Sequence, residues 1–392
     1  MTRIETSGSL VRAEIDVAAL RANAAVLAER IAPARLKCIV KANAYGHGVD
    51  LVARSLFDAG WREFGVATIP EALALRETLG DAAEISAWLY GPDTDFEPAL
   101  AAGIELGVST LGCLDALHTA AVRTGITARI HLKVDTGLGR NGFSPTDFED
   151  ALHRLEQLAG HGGCGIAVAG IMSHFAVADE PERGETAEQI DVFDSVCRRL
   201  REVLDAAAGR LGDPQSLDVH IANSPAALTL PPLPGNSARV GLALYGLSPL
   251  EDRTASDLGL APVMRLVSQV VNLKDIPAGH GASYGLTYTA AKDTRFALVP
   301  GGYGDGIPRS ASNRAEVGIR GRRYPVVGRI AMDQMVIDVD DGEVELGDEV
   351  VIFGPGGPGA EEWGTWSDTI NYEIVTRISA RVDRMPLPPG TR

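Results

Sequence analysis

Hydrophobic and polar positions follow two rhythms along the chain, and the change falls near residue 250. From residue 36 to about 245, short β-branched or apolar runs alternate with Ala- and Leu-rich amphipathic stretches. The runs lie near 36–41, 63–67, 85–89, 104–108, 128–134, 166–173, 217–222 and 237–240. Helical patterns sit between many of them, as at Pro70 to Leu79 and Leu111 to Arg123. Strands alternating with helices build a parallel sheet. About eight such units over this length predict an α/β fold, a (β/α)8 barrel of the TIM type. A doubly wound sheet competes, but it usually carries a Gly-rich dinucleotide turn after its first strand. Here that strand runs into Lys41-Ala42-Asn43-Ala44-Tyr45-Gly46-His47-Gly48. The barrel is the better match.

After Leu247 the texture changes. Ser248 to Pro262 is polar and bounded by proline, as a linker would be. Beyond it, Val263–Ile276, Thr294–Val299, Tyr324–Val339 and Asp348–Phe353 are rich in Val, Ile and Gly and separated by turn residues. They predict a smaller, mainly-β second domain, with one late helical segment around Ser367 to Ala380. The expected division is a barrel over 12–250 and a β-rich domain over 258–392, with residues 1–11 packing near the latter. No solenoid repeat or low-complexity tract interrupts either part.

Composition narrows the function. Of the 392 residues 45% are hydrophobic, which is globular and too apolar for disorder. Lys and Arg number 36 against 52 Asp and Glu, a formal charge of -16 that repels phosphate backbones and anionic lipid. Nucleic acid and membrane are therefore not expected partners. Cys38, Cys113, Cys164 and Cys197 are scattered and form no CxxC pair, as reduced thiols of a cytoplasmic protein would be. The opening residues, with Arg3, Glu5 and Arg12, show no apolar core of a signal peptide. The eight histidines show no HExxH and no metal-ligand spacing, so no metal is expected. No P-loop is present. The Gly-rich Pro300 to Gly306 lacks a GK[ST] ending and reads as a turn, with Tyr303 and Asp305 in it.

Lys41 stands where the first strand ends, on the face that holds active sites in barrels. It fits a Schiff-base lysine, whose amine must be partly desolvated to become nucleophilic near neutral pH. It equally fits a lysine snorkelling at a strand end. The sequence around it decides more. KANAYGHG resembles the pyridoxal-phosphate lysine motif of bacterial alanine racemases, which are fold-type III enzymes. The resemblance continues through VRAEIDVAALRANAAVLA near the start, KVDTGLGRNG at 133–142 and MSHFAVAD at 172–179. It takes in HIANSPA at 220–226, ARVGLALYG at 238–246, SYGLTY at 283–288, GRIAMDQ at 328–334 and INYEIVTRI at 370–378. Nine matches in order, across both predicted domains, make a specific signal.

That resemblance implies roles. Pyridoxal 5'-phosphate is the cofactor, attached at Lys41. Asn223 and Ser224 follow the seventh strand and Gly241 and Leu242 the eighth, the usual phosphate site of a barrel. Ser224, the amides of Gly241 and Leu242, and the hydroxyls of Tyr45 and Tyr372 would hold the phosphate. Ser224-Pro225 is also a good helix start, and both readings can hold together. Arg239 would face the pyridine nitrogen, with His174 beside it, although a lone histidine is more often structural. Racemisation needs a group on each face of Cα, and the implied pair is Lys41 and Tyr284. From patterning alone, Tyr284 is a half-buried strand tyrosine. Arg140 and the amide of Met332 would bind the substrate carboxylate, and Tyr288 would narrow the entrance. Lys133 occupies a position that several relatives carry as a carbamylated lysine. The family resemblance further implies a head-to-tail homodimer with shared active sites, acting on L- and D-alanine and supplying D-alanine for the cell wall.

Three rivals remain. A fold-type III decarboxylase shares the architecture but typically places a carboxylate where Arg239 stands. A pyridoxal-phosphate carrier resembles the barrel alone and lacks the residues after the linker. A barrel aldolase using Lys41 without cofactor would leave the phosphate loops idle.

Overall fold

The eight runs become eight parallel strands in the computed structural model, which describes residues 9–160, 165–230 and 232–387. In chain order they are Arg35–Ile39, Glu63–Gly65, Glu84–Ala87, Glu105–Val108, Ala128–Lys133, Ile166–Met172, Asp218–His220 and Ser237–Val240. Each pairs with the next up to the seventh, and the eighth returns to pair with the first. Between the seventh and eighth strands there is no full ladder. Asn236 stands in for it: its side chain accepts from the Val219 amide at 2.8 Å and donates to the Leu217 carbonyl at 2.9 Å. The preceding Gly235 has φ +94°, and a Cβ there would lie 2.1 Å from the Val219 oxygen. Only glycine fits that seam. The barrel is thus nearly closed.

Local chemistry sets the surrounding helices. Thr68 and Glu71 form a capping box ahead of Ile69–Leu79, with Pro70 in its first turn. Thr110 caps Leu111–Thr124, which ends at the left-handed Gly125. Asp16 caps Val17–Ile31 and Ser144 caps Pro145–Ala159. The helices lay their apolar faces on the strands, as in Leu152, Leu155 and Phe148, all buried.

A second sheet has nine strands, ordered Asn272–Ile276, Thr294–Pro300, Gln334–Asp338, Arg322–Val327, Glu316–Ile319, Glu349–Phe353, Met264–Gln269, Arg12–Ile15 and Asp383–Pro386. Arg12–Ile15 runs antiparallel to Met264–Gln269 and parallel to Asp383–Pro386. A boundary at residue 12 puts this strand with the barrel, whereas its hydrogen bonds put it in the second sheet. Four alternating residues carry no sign of which sheet they will join. Residues 1–8, with Arg3 and Glu5, and Cys164 lie outside the described residues. Cys38, Cys113 and Cys197 are free thiols.

Other boundaries shift for visible reasons. The run 263–276 is two strands broken at Val270-Val271, and 324–339 is two strands around the loop that carries Met332. Of the late segment 367–380 only Asn371–Thr376 is α-helical, and a second short helix, Ala360–Trp366, precedes it. The linker is not a free tether. Leu250, Leu258 and Leu260 are buried, and Asn23 exchanges two hydrogen bonds with Ala261 at 2.8 and 2.9 Å. Asn371–Thr376 reaches back over the barrel mouth, where Asn371 donates to the Ser248 carbonyl at 2.8 Å. This contact places Tyr372 above the first strand's end.

Candidate active site

The first strand stops at Ile39 and Lys41 follows on the barrel's C-terminal face. The backbone then enters a region that L-residues avoid. Ala42, Asn43, Ala44 and Tyr45 have φ of 52–54°, a left-handed turn completed by Gly46 at 81°. Each non-glycine residue there costs about 1–2 kcal/mol, so such a turn persists only where its surroundings over-determine it. They do. Glu71 accepts from the Ala42 amide at 2.7 Å, and Asn43 Oδ1 accepts from the Val49 amide at 2.8 Å. His47 Nδ1 donates to the Ala44 and Tyr45 carbonyls at 3.0 and 2.9 Å. Arg384, from the second sheet, donates to the Gly46 carbonyl at 2.9 Å. A Cβ on Gly46 would stand 2.1 Å from the Val375 oxygen, so the turn is pressed against the helix that carries Tyr372.

Lys41 opens into a cavity of about 360 Å³. Eleven residues named from sequence line it together: Lys41, Tyr45, Lys133, Arg140, His174, Asn223, Ser224, Arg239, Gly241, Leu242 and Tyr372. They come from both domains and from five barrel strand ends. Tyr284, Tyr288 and Met332 do not line it. Tyr284 is 71% and Met332 53% exposed, and Tyr288 donates to Asp338 at 2.7 Å within the second domain. Ile39, Trp88, Met172 and Thr376 line the cavity without having been singled out. Trp88 and Met172 sit at ends of the third and sixth strands, so strand-end position was the available signal. Thr376, at a helix end, had none.

The cavity is cationic inside an acidic protein. Burial first, then the charges of Arg140 and Arg239, push the Lys41 amine below its ordinary range, with Glu71 opposing. Lys133 is brought down to about 8 by burial, Arg239 and Arg140, against Asp135. Burial and then Arg239 hold His174 neutral, far below the usual histidine range. Tyr45 is pushed up by burial, and Tyr372 to about 12 by burial and Asp179. Both phenols therefore keep their protons and remain donors. Asp135 accepts the amides of Gly137, Gly139 and Arg140 at 2.9–3.1 Å and so shapes the loop that presents Arg140.

Two ends of the cavity differ in chemistry. At one, Ser224 Oγ accepts from the Gly241 and Ala243 amides at 3.2 and 3.4 Å. A Cβ on Gly241 would meet Tyr45 Oη at 2.2 Å, so hydroxyl and backbone converge in a cradle only glycine allows. Hydroxyls and amides converging in this way suit a phosphate. At the other, Arg239 is buried and has four of its five donors engaged. Nη1 bonds His220 Nδ1 and the His220 carbonyl at 2.7 Å each. Nη2 reaches the Ser173 carbonyl at 2.5 Å and His174 Nδ1 at 3.2 Å. Its Nε–H has no partner among the described residues, which suits a ring nitrogen. Between these ends stands the Lys41 amine, suited to an aldehyde. The residues fit pyridoxal 5'-phosphate.

Folding also gathers His131, Asp218 and His220, whose ligand atoms lie within 4.8 Å of one another although no sequence spacing announced them. Lys37 already sits 2.8 Å from both Asp218 and Glu63, and His131 bonds His220 at 2.9 Å. The Lys37 ammonium supplies here the charge that a cation would.

Comparison with known proteins agrees with the geometry. Residues 15–249 match the alanine racemase N-terminal domain and 263–386 the alanine racemase C-terminal domain. The alanine racemase of Mycolicibacterium vanbaalenii is 45% identical over 382 residues, 96% of this chain and 94% of that one. The crystal structure of alanine racemase from D-cycloserine producing Streptomyces lavendulae has a TM-score of 0.90 at 43% identity, covering 98% of both chains. Alanine racemase from Bartonella henselae, a structure with covalently bound pyridoxal phosphate, has a TM-score of 0.84 at 28% identity over 96% of this chain and 99% of that one. With both domains matched and the lysine, cradle and arginine gathered at one barrel mouth, this chain belongs to the alanine racemase family.

Proposed function

We propose that the chain interconverts L- and D-alanine with pyridoxal 5'-phosphate, using Lys41 and Tyr284 as bases on opposite faces of the substrate. The observation that carries this reading is Lys41 itself: an amine with a depressed pKa, held by a strained turn between a phosphate cradle and an unpartnered arginine donor. Held at Lys41 until the amine of an amino acid takes that lysine's place, the cofactor would withdraw electrons from the α-carbon, which makes the α-proton removable.

The chain's residues do the rest. Lys41, partly desolvated and beside two guanidinium groups, holds or gives a proton on its own side. Arg140 offers a planar fork at the rim for a carboxylate. Arg239 presents a fixed cation with no lone pair, so it accepts no proton from anything facing its Nε–H. A sink left weak in this way favours prompt return of the proton over cleavage of other bonds. Lys133, buried among Arg140, Arg239 and Lys41, would gain opposite charge as a carbamate, which supports that modification.

Tyr284 needs a second copy of the chain. It is exposed near Leu286, and Met332 and Tyr303 are also exposed on the same domain. A tyrosine acting as a base near neutrality needs a depression of about two or three units from about 10. Cations must supply it, and the barrel mouth holds Arg140 and Arg239. A head-to-tail homodimer would bring Tyr284 and the Met332 amide to the partner's Lys41. The same reading makes Tyr288 the narrowing of the entrance and the enzyme a cytoplasmic source of D-alanine for the cell wall. No helix among the described residues is long and apolar enough to cross a membrane.

Circular dichroism of D-alanine in deuterated buffer tests the proposal. Inversion with α-deuteration is expected. Carbon dioxide release without inversion would point to a decarboxylase, and a bound chromophore with no turnover to a carrier.

A further inference from the structure

Arg239 is one end of a buried file of hydrogen bonds that leaves the cavity and crosses the barrel interior. Its Nη1 meets His220 Nδ1 at 2.7 Å, His220 Nε2 meets His131 Nδ1 at 2.9 Å, and His131 Nε2 meets Glu105 at 2.8 Å. Glu105 is also held by Arg129 Nε and Nη2 at 2.8 and 2.7 Å, and the Arg129 side chain is 60% exposed at the opposite end of the barrel. Both imidazoles are 2% exposed.

The ends dictate the proton positions between them. A guanidinium only donates, and a carboxylate only accepts. Two bonds from Arg129, one from His131 and the nearby Lys37 charge outweigh burial and keep Glu105 a carboxylate. So His220 Nδ1 must be a lone pair, its proton must sit on Nε2, and His131 must accept at Nδ1 and donate from Nε2. Both rings are neutral and share one tautomer. The charged groups around the file agree: Asp218 lies 3.7 Å from His220 Nε2, on the side of its N–H. Lys37 and Arg35 each bond both Asp218 and Glu63, two cations against two carboxylates. The sixth strand makes room. A Cβ on Gly170 would stand 2.3 Å from His131 Nδ1, the atom that receives the His220 proton.

We propose that His131 and Glu105 are positioning residues for Arg239: they lock His220 as its Nε2–H tautomer, so that the His220 lone pair anchors Nη1 and the guanidinium turns Nε–H toward the cofactor ring. This rests on the reading of Arg239 as the ring's partner. Without His131, the His220 proton could move to Nδ1. Two donors would then face each other across 2.7 Å, and Arg239 would turn away.

The test combines nuclear magnetic resonance of [15N]histidine-labelled holoenzyme with two variants. In the unaltered protein both rings should be neutral and protonated at Nε2. An Nδ1–H or doubly protonated state of either ring overturns the proposal. His131→Leu removes the acceptor for His220, whereas His131→Asn keeps one near the Nδ1 position. His131→Leu should lower kcat roughly 10- to 100-fold, as loss of an outer partner does at other sites, with little change in KM. It should also move the absorbance band of the bound cofactor, and His131→Asn should recover most of both. Ordinary kcat and an unmoved band in His131→Leu sink the idea. If His131→Leu does not fold, His131→Asn and the tautomers of the unaltered protein still decide. Correct tautomers in a protein that inverts no alanine would leave the file standing and remove the function proposed above.

Discussion

Glu71 Oε1 accepts the amide proton of Ala42 at 2.7 Å while its Oε2 accepts those of Ala67 and Thr68 at 3.0 Å. One carboxylate thus ties the turn after Lys41 to the start of the helix Ile69–Leu79. Glu71→Ala leaves three amides without partners and should destabilise the protein by about 2 kcal/mol, read from the urea midpoint. Glu71 is also the charge that raises Lys41 against its cationic neighbours. Its loss should move the limb of the rate profile belonging to Lys41 to lower pH, and a shift to higher pH would contradict the assignment.

His47 gives the fold a pH dependence. Burial, against hydrogen bonds to the Tyr45 and Ala44 carbonyls, brings it down to about 4, from about 6.5 in an unfolded chain. The unfolded state therefore binds the extra proton between these values. The neutral ring's contribution is complete above pH 6.5 and is lost as pH falls toward 4, about 3 kcal/mol in all. Urea midpoints at pH 7.5 and 5 should differ less in His47→Asn than in the unaltered protein.

Tyr284→Phe removes a hydroxyl and leaves the cavity's own lining untouched. It should cut kcat roughly 100- to 10,000-fold, the range for a lost general base, with the cofactor band retained. Loss of that band would make Tyr284 structural instead.

Mixing distinguishes a shared site from one closed within a chain. Lys41→Ala and Tyr284→Phe dimers should each be inactive. Exchanged subunits place an intact Lys41 opposite an intact Tyr284 in one site of each mixed dimer, restoring roughly a quarter of the activity. No recovery after verified exchange would exclude the head-to-tail arrangement.

The barrel was legible because its strands are short apolar runs separated by capped helices, such as Thr68 to Leu79. The cavity was legible because Lys41, Ser224 and Arg239 occur at strand ends within recognisable motifs. Arg12–Ile15 was not, since strand partners far away in sequence leave no local mark. The left-handed backbone of Ala42 to Tyr45 was hidden too: alanine and tyrosine do not favour positive φ, and only Glu71, His47 and Arg384 hold them there. Nor did spacing reveal the His131–His220 contact, which unites two strands 89 residues apart.

The gap beside Asn236 has a consequence for loading. Ser224 belongs to one lip of that gap and Gly241 to the other, already joined by the Gly241 amide's bond to Ser224, so an anion gripped by both, as proposed, would add a clasp on the sheet's hem. Filling the cradle would then tighten the barrel. Amide exchange near Val219 and Arg239 should slow most when the coenzyme arrives, and the empty apoprotein should fray there first.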